Sequence, residues 1–301
     1  MLANTNTWNA YNDWDGTSKY TNPPGAILSF ERPNPAASPV GRGLNHLTRA
    51  ELWLLDWMKQ SGYRVDVYSD RDFHLGIPGL SGYKALVLNT HPEYWTPEML
   101  DHLEAYLQGG GCVLYLGGNG VYEKVSFNAS GSALILLEGN PATNRARCYS
   151  RNQTPPRPER ALLGVAYRLD NYMTFAPFRV LEASHRFFAG TGLADGDEIG
   201  QQGLNGGASG WEMDTSIAGT APDGVIVTLT SAADDRGAPP ANLELLARGT
   251  NPGYGADMTV YETGAGGFVF SAGSLSFGGS LVQDSRLQTI LRNVLNESLA
   301  R

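Results

Sequence analysis

Leu86-Val87-Leu88-Asn89-Thr90-His91-Pro92-Glu93-Tyr94-Trp95-Thr96 is the stretch that decides the reading of the chain. Lys84 to Asn89 is a short apolar, partly β-branched run, the pattern of a strand buried on both faces. It leads straight into His91, Glu93, Tyr94 and Trp95. Thr96-Pro97-Glu98 then opens a helix, with a capping hydroxyl, a proline at the first helical position and an acid in the first turn. In open α/β sheets, ligands sit outside the carboxyl ends of strands, and His91 and Glu93 fall at such a place. A plainer reading stands beside this one: Glu93 complements the helix dipole and His91 fills a turn.

Working outward, Thr48 to Gly62 fits an amphipathic helix stopped by Gly62, and Tyr63 to Tyr68 alternates like a strand. Downstream, a helix over Pro97 to Gln108 ends at Gly109-Gly110-Gly111. Cys112 to Leu116 reads as a second buried strand, closed by Gly117-Gly118-Asn119-Gly120. Strand, helix and strand at this spacing predict βαβ units and a parallel sheet. A right-handed crossover brings the Asn119 turn beside the His91/Glu93 turn. Ala133–Glu138, Val225–Thr230, Met258–Glu262 and Phe268–Ala272 read as further strands, and Leu287–Leu299 as a terminal helix.

Residues 1–45 show no helical or strand alternation. Their density of aromatic, Asn and Gly residues predicts an ordered loop packed over something. Only Met1-Leu2-Ala3 precede that loop, so the usual leading strand of an α/β sheet is expected to be missing. Residues 139–210 are loop-rich, with Arg145, Arg147, Tyr149 and Arg151; loop arginines usually make only surface pairs.

A chain of 301 residues is long enough for a sizeable core, and 42% hydrophobic with 17% charged residues is ordinary for a globular protein. A net charge of −8 argues against nucleic acid or an anionic membrane as partner. No run reaches the length of a membrane span, and the amino-terminal end lacks a signal pattern. Two cysteines, Cys112 and Cys148, make no disulfide framework, so the cytoplasm is the expected compartment. With no internal repeat or clear linker, residues 1–301 are read as one α/β domain with elaborated loops.

The pattern invites comparison with amidotransferase-like domains, which carry a nucleophilic cysteine at a strand-to-helix elbow. The elbow after Leu116 has neither Cys nor Ser, and Cys112 lies at the opposite end of the strand as a core residue. No zinc spacing and no phosphate-loop Lys-Ser/Thr is present. What remains are oxygen donors. Tyr11, Tyr20 and Glu93 could together hold a hard ion, and phenolate ligation near neutral pH calls for a strong Lewis acid such as ferric iron. Tyrosines in an aromatic loop are, however, more often packing residues.

Several motifs together resemble the catalytic region of the N,N-dimethylformamidase large subunit. They are Thr5-x-Thr7-Trp8-x-Ala10-Tyr11-Asn12, Ser18-x-Tyr20, Ser29-Phe30-x-Arg32-Pro33, Thr90-His91-Pro92-Glu93-Tyr94-Trp95 and Gly117-Gly118-Asn119-Gly120. Gly210-Trp211-Glu212-Met213-Asp214 and Glu262-Thr263-x-x-Gly266-Gly267-Phe268-Val269-Phe270-Ser271-x-Gly273-Ser274 extend the likeness. It implies a class I glutamine amidotransferase-like (flavodoxin-like) parallel sheet with helices on both faces and extra carboxyl-terminal strands. It also implies a mononuclear Fe(III) on Tyr11, Tyr20 and Glu93. His91 and Asn119 are then placed around the metal, and Glu212 near the substrate. Without the likeness, Glu212-x-Asp214 reads as a solvated turn. The family's large subunit carries a further amino-terminal half and works with a small subunit, so a homo-oligomer or a separate small subunit is in view.

The reading that follows is a ferric-dependent hydrolase of a small amide substrate, with His91, Asn119 and Glu212 in catalysis. The other reading, from a different class, is a non-catalytic module that uses the same cleft for a polar ligand or a partner chain.

Overall fold

The computed structural model of the chain describes residues 1–21, 26–38, 48–137, 157–168, 172–217 and 237–301. The expected strand at 225–230, the arginines at 145, 147 and 151 and Cys148 lie outside the described residues.

The molecule is built on a nine-stranded mixed sheet. Its order is Glu198–Ile199, Phe178–Val180, Glu244–Gly249, Asp257–Glu262, Phe268–Ser271, Cys112–Gly117, Ala85–Thr90, Leu2–Ala3 and Tyr68–Ser69. From Phe268–Ser271 to Tyr68–Ser69 every pairing is parallel; from Phe268–Ser271 to Glu198–Ile199 every pairing is antiparallel. The expectation of a parallel sheet therefore holds for one half, and the carboxyl-terminal strands extend it with antiparallel neighbours.

Alternation along the central strands sorts the core into two layers. Val87, Cys112, Leu114 and Leu116 face the helices Thr48–Gln60, Phe277–Leu281 and Ser285–Ala300 through Leu54, Trp57, Phe277, Ile290 and Val294. Leu86, Leu88, Val113 and Tyr115 face Asp70–Leu75 and Pro97–Gln108 through Phe73, Met99, Leu100 and Leu103. Helices thus cover both faces. This is why the two central strands carry almost no polar residue until their carboxyl ends.

The Pro97–Gln108 helix starts as the sequence predicts, with the Thr96 hydroxyl accepting from the Met99 N–H. The Thr48–Gln60 helix also matches its expected span. Two expectations are corrected. The leading strand exists: Leu2–Ala3 inserts between Tyr68–Ser69 and Ala85–Thr90, with Leu2 in register with both Tyr68 and Leu88. The strand expected over Tyr63–Tyr68 shrinks to Tyr68–Ser69, because its only neighbour offers two residues for pairing. The strand expected over Ala133–Glu138 forms as Ala133–Leu136 and joins Ile27–Ser29, Glu123–Phe127 and Tyr94–Trp95 in a four-stranded sheet beside the site.

The amino-terminal loop also contains a short helix, Thr5–Ala10, that the sequence hid. Its buried face is polar and is satisfied by distant backbone: Asn6 Nδ2 donates to Tyr94 O (3.1 Å), Thr7 Oγ1 to His91 O (2.7 Å) and Asn9 Nδ2 to Leu28 O (2.8 Å). Beneath it the buried Glu51 accepts from Asn4 Nδ2 (2.9 Å) and Trp8 Nε1 (3.0 Å). Burial lifts the Glu51 carboxyl to about 8, against those two donors, and lifts the buried Asp70 to about 7.

Both values exceed those of an unfolded chain, so the native state keeps protons that the unfolded state releases. The stability these two groups contribute is then full below their ordinary values of 4.5 and 3.8, and is lost as pH rises through about 7 to 8. Glu51→Gln keeps an acceptor and removes one titration. It is expected to raise the Tm at pH 8 while changing it little at pH 5, where one kcal/mol is worth about 2–4 °C in a chain this large. Thermal unfolding at the two pH values tests this, and an equal shift at both would show that Glu51 does not titrate in that window.

Candidate active site

The site forms where the two central strands end. Ala85–Thr90 delivers His91 and Glu93, and Cys112–Gly117 delivers Asn119. Gly118 N–H donates to Thr90 O (3.1 Å), and the N–H groups of Tyr122 and Glu123 donate to Glu93 O (3.0 and 2.8 Å). These bonds lock the two turns side by side. A third segment, around Trp211 and Glu212, closes over them where Leu275 N–H donates to Glu212 O (3.1 Å).

Among the described residues five non-glycine residues have a positive φ: Thr90 (61°), Asn119 (54°), Val121 (52°), Met173 (63°) and Trp211 (68°). Thr90 immediately precedes His91, and Trp211 immediately precedes Glu212. Left-handed backbone costs a β-branched or bulky residue about 1–3 kcal/mol and gathers where function fixes geometry. The strain here sits on the turns that aim the candidate side chains.

Those side chains converge. Tyr11, at the end of the Thr5–Ala10 helix, donates its hydroxyl to Glu93 Oε2 (2.7 Å) and lies 2.8 Å from His91 Nε2. His91 Nε2 is 3.2 Å from Glu93 Oε2 and 3.3 Å from Glu212 Oε2, and His91 Nδ1 donates to Gly118 O (3.0 Å). The Tyr20 ring packs against that of Tyr11, with centroids 5.3 Å apart, while 53% of Tyr20 stays open to solvent. All six residues read from the sequence as site residues are therefore neighbours, with Tyr20 at the mouth and the other five buried or nearly so.

The electrostatics divide the group. Burial opposes charge on His91, but Glu212, then Glu93 and the Gly118 carbonyl, outweigh it and lift the imidazole to about 9. Burial would likewise raise Glu93. The Lys19 ammonium, with His91 and Tyr11, overcomes it and holds Glu93 well below the usual carboxylate range. Glu212 is raised, first by burial and then by the Glu93 charge, with His91 pulling the other way. Both phenols are pushed up, by burial and by Glu93. Two opposite pulls on neighbouring carboxyls are the arrangement that separates a fixed anion from a proton carrier.

Two residues of the site have roles that the sequence does not reveal. Lys19 donates to Glu93 Oε1 (2.9 Å) and to Glu123 Oε2 (3.2 Å), and no local pattern marks it, since these partners lie 74 and 104 residues along the chain. Asp214, part of the segment that by itself reads as a solvated turn, is instead an anchor. Its Oδ1 accepts from Asn119 N–H (2.7 Å) and its Oδ2 from Tyr115 Oη (2.6 Å), which also receives Gly120 N–H (2.7 Å). This fixes the Asn119 turn from below. Asn119 Oδ1 is buried with no hydrogen-bond partner among the described residues, and Glu212 Oε2 has His91 Nε2 at 3.3 Å.

Residues 1–289 match the family model described as N,N-dimethylformamidase beta subunit-like, C-terminal. The chain is 28% identical over 279 residues to the N,N-dimethylformamidase beta subunit of Paracoccus aminophilus, and 27% identical over 279 residues to that of an Alcaligenes species. Each alignment covers 82% of this chain and 36% of the relative, so the chain spans about a third of the length of these curated relatives. Among solved structures, a cytoplasmic protein from Salmonella typhimurium superposes with a TM-score of 0.46 at 13% identity, over 81% of this chain and 85% of that one. That score does not establish a shared fold. The match of the family model over nearly every residue does establish kinship: this chain belongs to the N,N-dimethylformamidase beta subunit-like, C-terminal family.

Proposed function

We propose that the chain carries the catalytic centre of an amide hydrolase that breaks a small C–N bond, with a mononuclear ferric ion held by Tyr11, Tyr20 and Glu93. The reading rests on one observation above all. A phenol hydroxyl lies 2.7 Å from a carboxylate held in its charged form, beside an imidazole that also stands 3.3 Å from a second carboxyl. These donors suit a hard trivalent ion, because they are all oxygens and phenols lose their protons readily only against strong positive charge. Among the described residues no group of three or more His, Cys, Asp or Glu side chains is arranged to hold a metal, so the two phenols are essential to the site proposed here. When bound, the ferric ion supplies Lewis-acid polarisation of the substrate carbonyl or of a water.

The protein's own groups divide the proton work. Glu212, with its carboxyl raised by burial, takes a proton from the attacking water and returns it to the leaving nitrogen. His91 keeps a proton on Nε2 among the oxygens of Tyr11, Glu93 and Glu212, and so holds those three in place. The Asn119 backbone N–H is already given to Asp214, which leaves the side-chain amide to meet the developing oxyanion. The products are a carboxylate and an amine.

The amidotransferase-like reading of the fold belongs to the same proposal. It is supported by the parallel half of the sheet, by helices on both faces and by a site at the carboxyl ends of the strands. The relatives are named as beta subunits, which favours a further subunit or a second copy of this chain as partner. A cytoplasmic setting rests on the cysteine usage alone. Among the described residues no helix is long and apolar enough to cross a membrane.

The test is direct. Protein purified without chelator is expected to be coloured by tyrosinate-to-iron charge transfer, to contain stoichiometric iron and to release amine from small formamides. Colourless, iron-free protein that releases no amine would leave the binding-module reading in its place.

A further inference from the structure

We propose that Lys19 is a positioning residue: its ammonium occupies one oxygen of Glu93 and thereby fixes which oxygen that carboxylate presents to the site. The metal part of this inference rests on the ferric reading above; the orientation of Glu93 does not.

The Lys19 side chain is 4% exposed, and a lysine this deep is found only where charge compensates it. Its amine lies 2.9 Å from Glu93 Oε1, 3.2 Å from Glu123 Oε2 and 4.8 Å above the Tyr94 ring. Glu123 reaches this place by strand pairing, since Tyr94 stands in register with Glu123. The lysine backbone is tied down too, its N–H donating to Ala10 O (2.8 Å) at the end of the helix that carries Tyr11. The amine is thus bracketed between two carboxylates and a ring, with its contact to Glu93 made through Oε1.

That leaves a division within one carboxylate. Oε1 is taken up by a short charge-assisted bond, while Oε2 faces the Tyr11 hydroxyl and His91 Nε2. A carboxylate held this way cannot turn about its own axis, so one oxygen alone is offered to the site. Lys19 touches neither the reacting atoms nor the phenols in this scheme. It acts through Glu93.

The experiment compares the full chain with Lys19→Met and Lys19→Arg. Three readouts are used: crystal structures of metal-free protein, titration with ferric ion against a competing chelator, and the visible absorption band. In Lys19→Met the Glu93 carboxylate is expected to turn and its bond from Tyr11 to open. Affinity for ferric ion should fall by about 10–100-fold, the usual cost of losing a group that orients a metal ligand, and the band should shift. Lys19→Arg restores a cation and should recover part of both. An unmoved Glu93 in Lys19→Met, with unchanged affinity and band, would overturn the proposal. If the wild-type chain takes up no ferric ion, the metal reading fails, and the position of Glu93 in the metal-free crystals decides the role of Lys19. Should Lys19→Met not fold, Lys19→Gln removes the charge, keeps one donor and carries the same measurements.

Discussion

Glu93→Ala is expected to abolish ferric binding and amide hydrolysis together and to lower the melting temperature. The carboxylate it removes accepts from Lys19 and Tyr11 and lies 3.2 Å from His91, all within a buried cluster. Deleting one member of a buried charge pair costs about 3–5 kcal/mol when the other is left unpaired. Lys19 keeps Glu123 and His91 keeps Glu212, so the loss should sit at or below the lower end of that range. Glu93→Gln separates the two effects. It preserves shape and an acceptor, so it should stay closer to wild type in stability and still fail to take up iron. Metal analysis, thermal unfolding and amine release on both variants decide the matter, and iron content unchanged in Glu93→Ala would count directly against the assignment.

Gly118→Ala is expected to damage the site through the backbone alone. A methyl group on Gly118 would stand 2.3 Å from Glu212 O and 2.9 Å from Leu275 N, both main-chain atoms that cannot step aside. The carbonyl of the same residue receives His91 Nδ1–H. The added carbon therefore drives the Glu212 segment away from the turn that orients His91 and parts the proton carrier from the imidazole that holds it in place. The expected outcome is loss of turnover with about 1–3 kcal/mol of destabilisation, the usual range for forcing extra carbon into a packed interior. Gly264→Ala, where the new methyl meets nothing within 4 Å, is the matched control and should change neither quantity. Wild-type turnover in Gly118→Ala would mean that the close approach of these three segments has no part in the chemistry.

Much of the central architecture is legible in the sequence because its physics is local. A run buried on both faces, a glycine stop and a Thr-Pro-Glu helix start place Ala85–Thr90, Pro97–Gln108 and Cys112–Gly117 within a residue or so. The meeting of the His91 and Asn119 turns follows from crossover handedness. What the sequence does not show depends on distant partners. The Thr5–Ala10 helix buries Asn6, Thr7 and Asn9, and polar residues become core only when far-off carbonyls receive them. Asp214 looks like a solvated acid until Tyr115 Oη and the Asn119 N–H reach it. Lys19 follows the same logic, since nothing near it in the chain announces two carboxylates. The antiparallel half is hidden for another reason: strands as short as Phe178–Val180 and Glu198–Ile199 carry too few residues to show a period.

The two-residue strand Leu2–Ala3 has a consequence for how the molecule comes together. It is the wedge between Tyr68–Ser69 and Ala85–Thr90, yet it is synthesised before either of them. During translation this segment must wait as loose chain until both flanks have emerged, and the entropy of closing those large loops is spent before any contact repays it. The helix bearing Tyr11 begins directly after the wedge. Assembly of the cleft thus waits for Ala85–Thr90, the later-made of the two flanking strands.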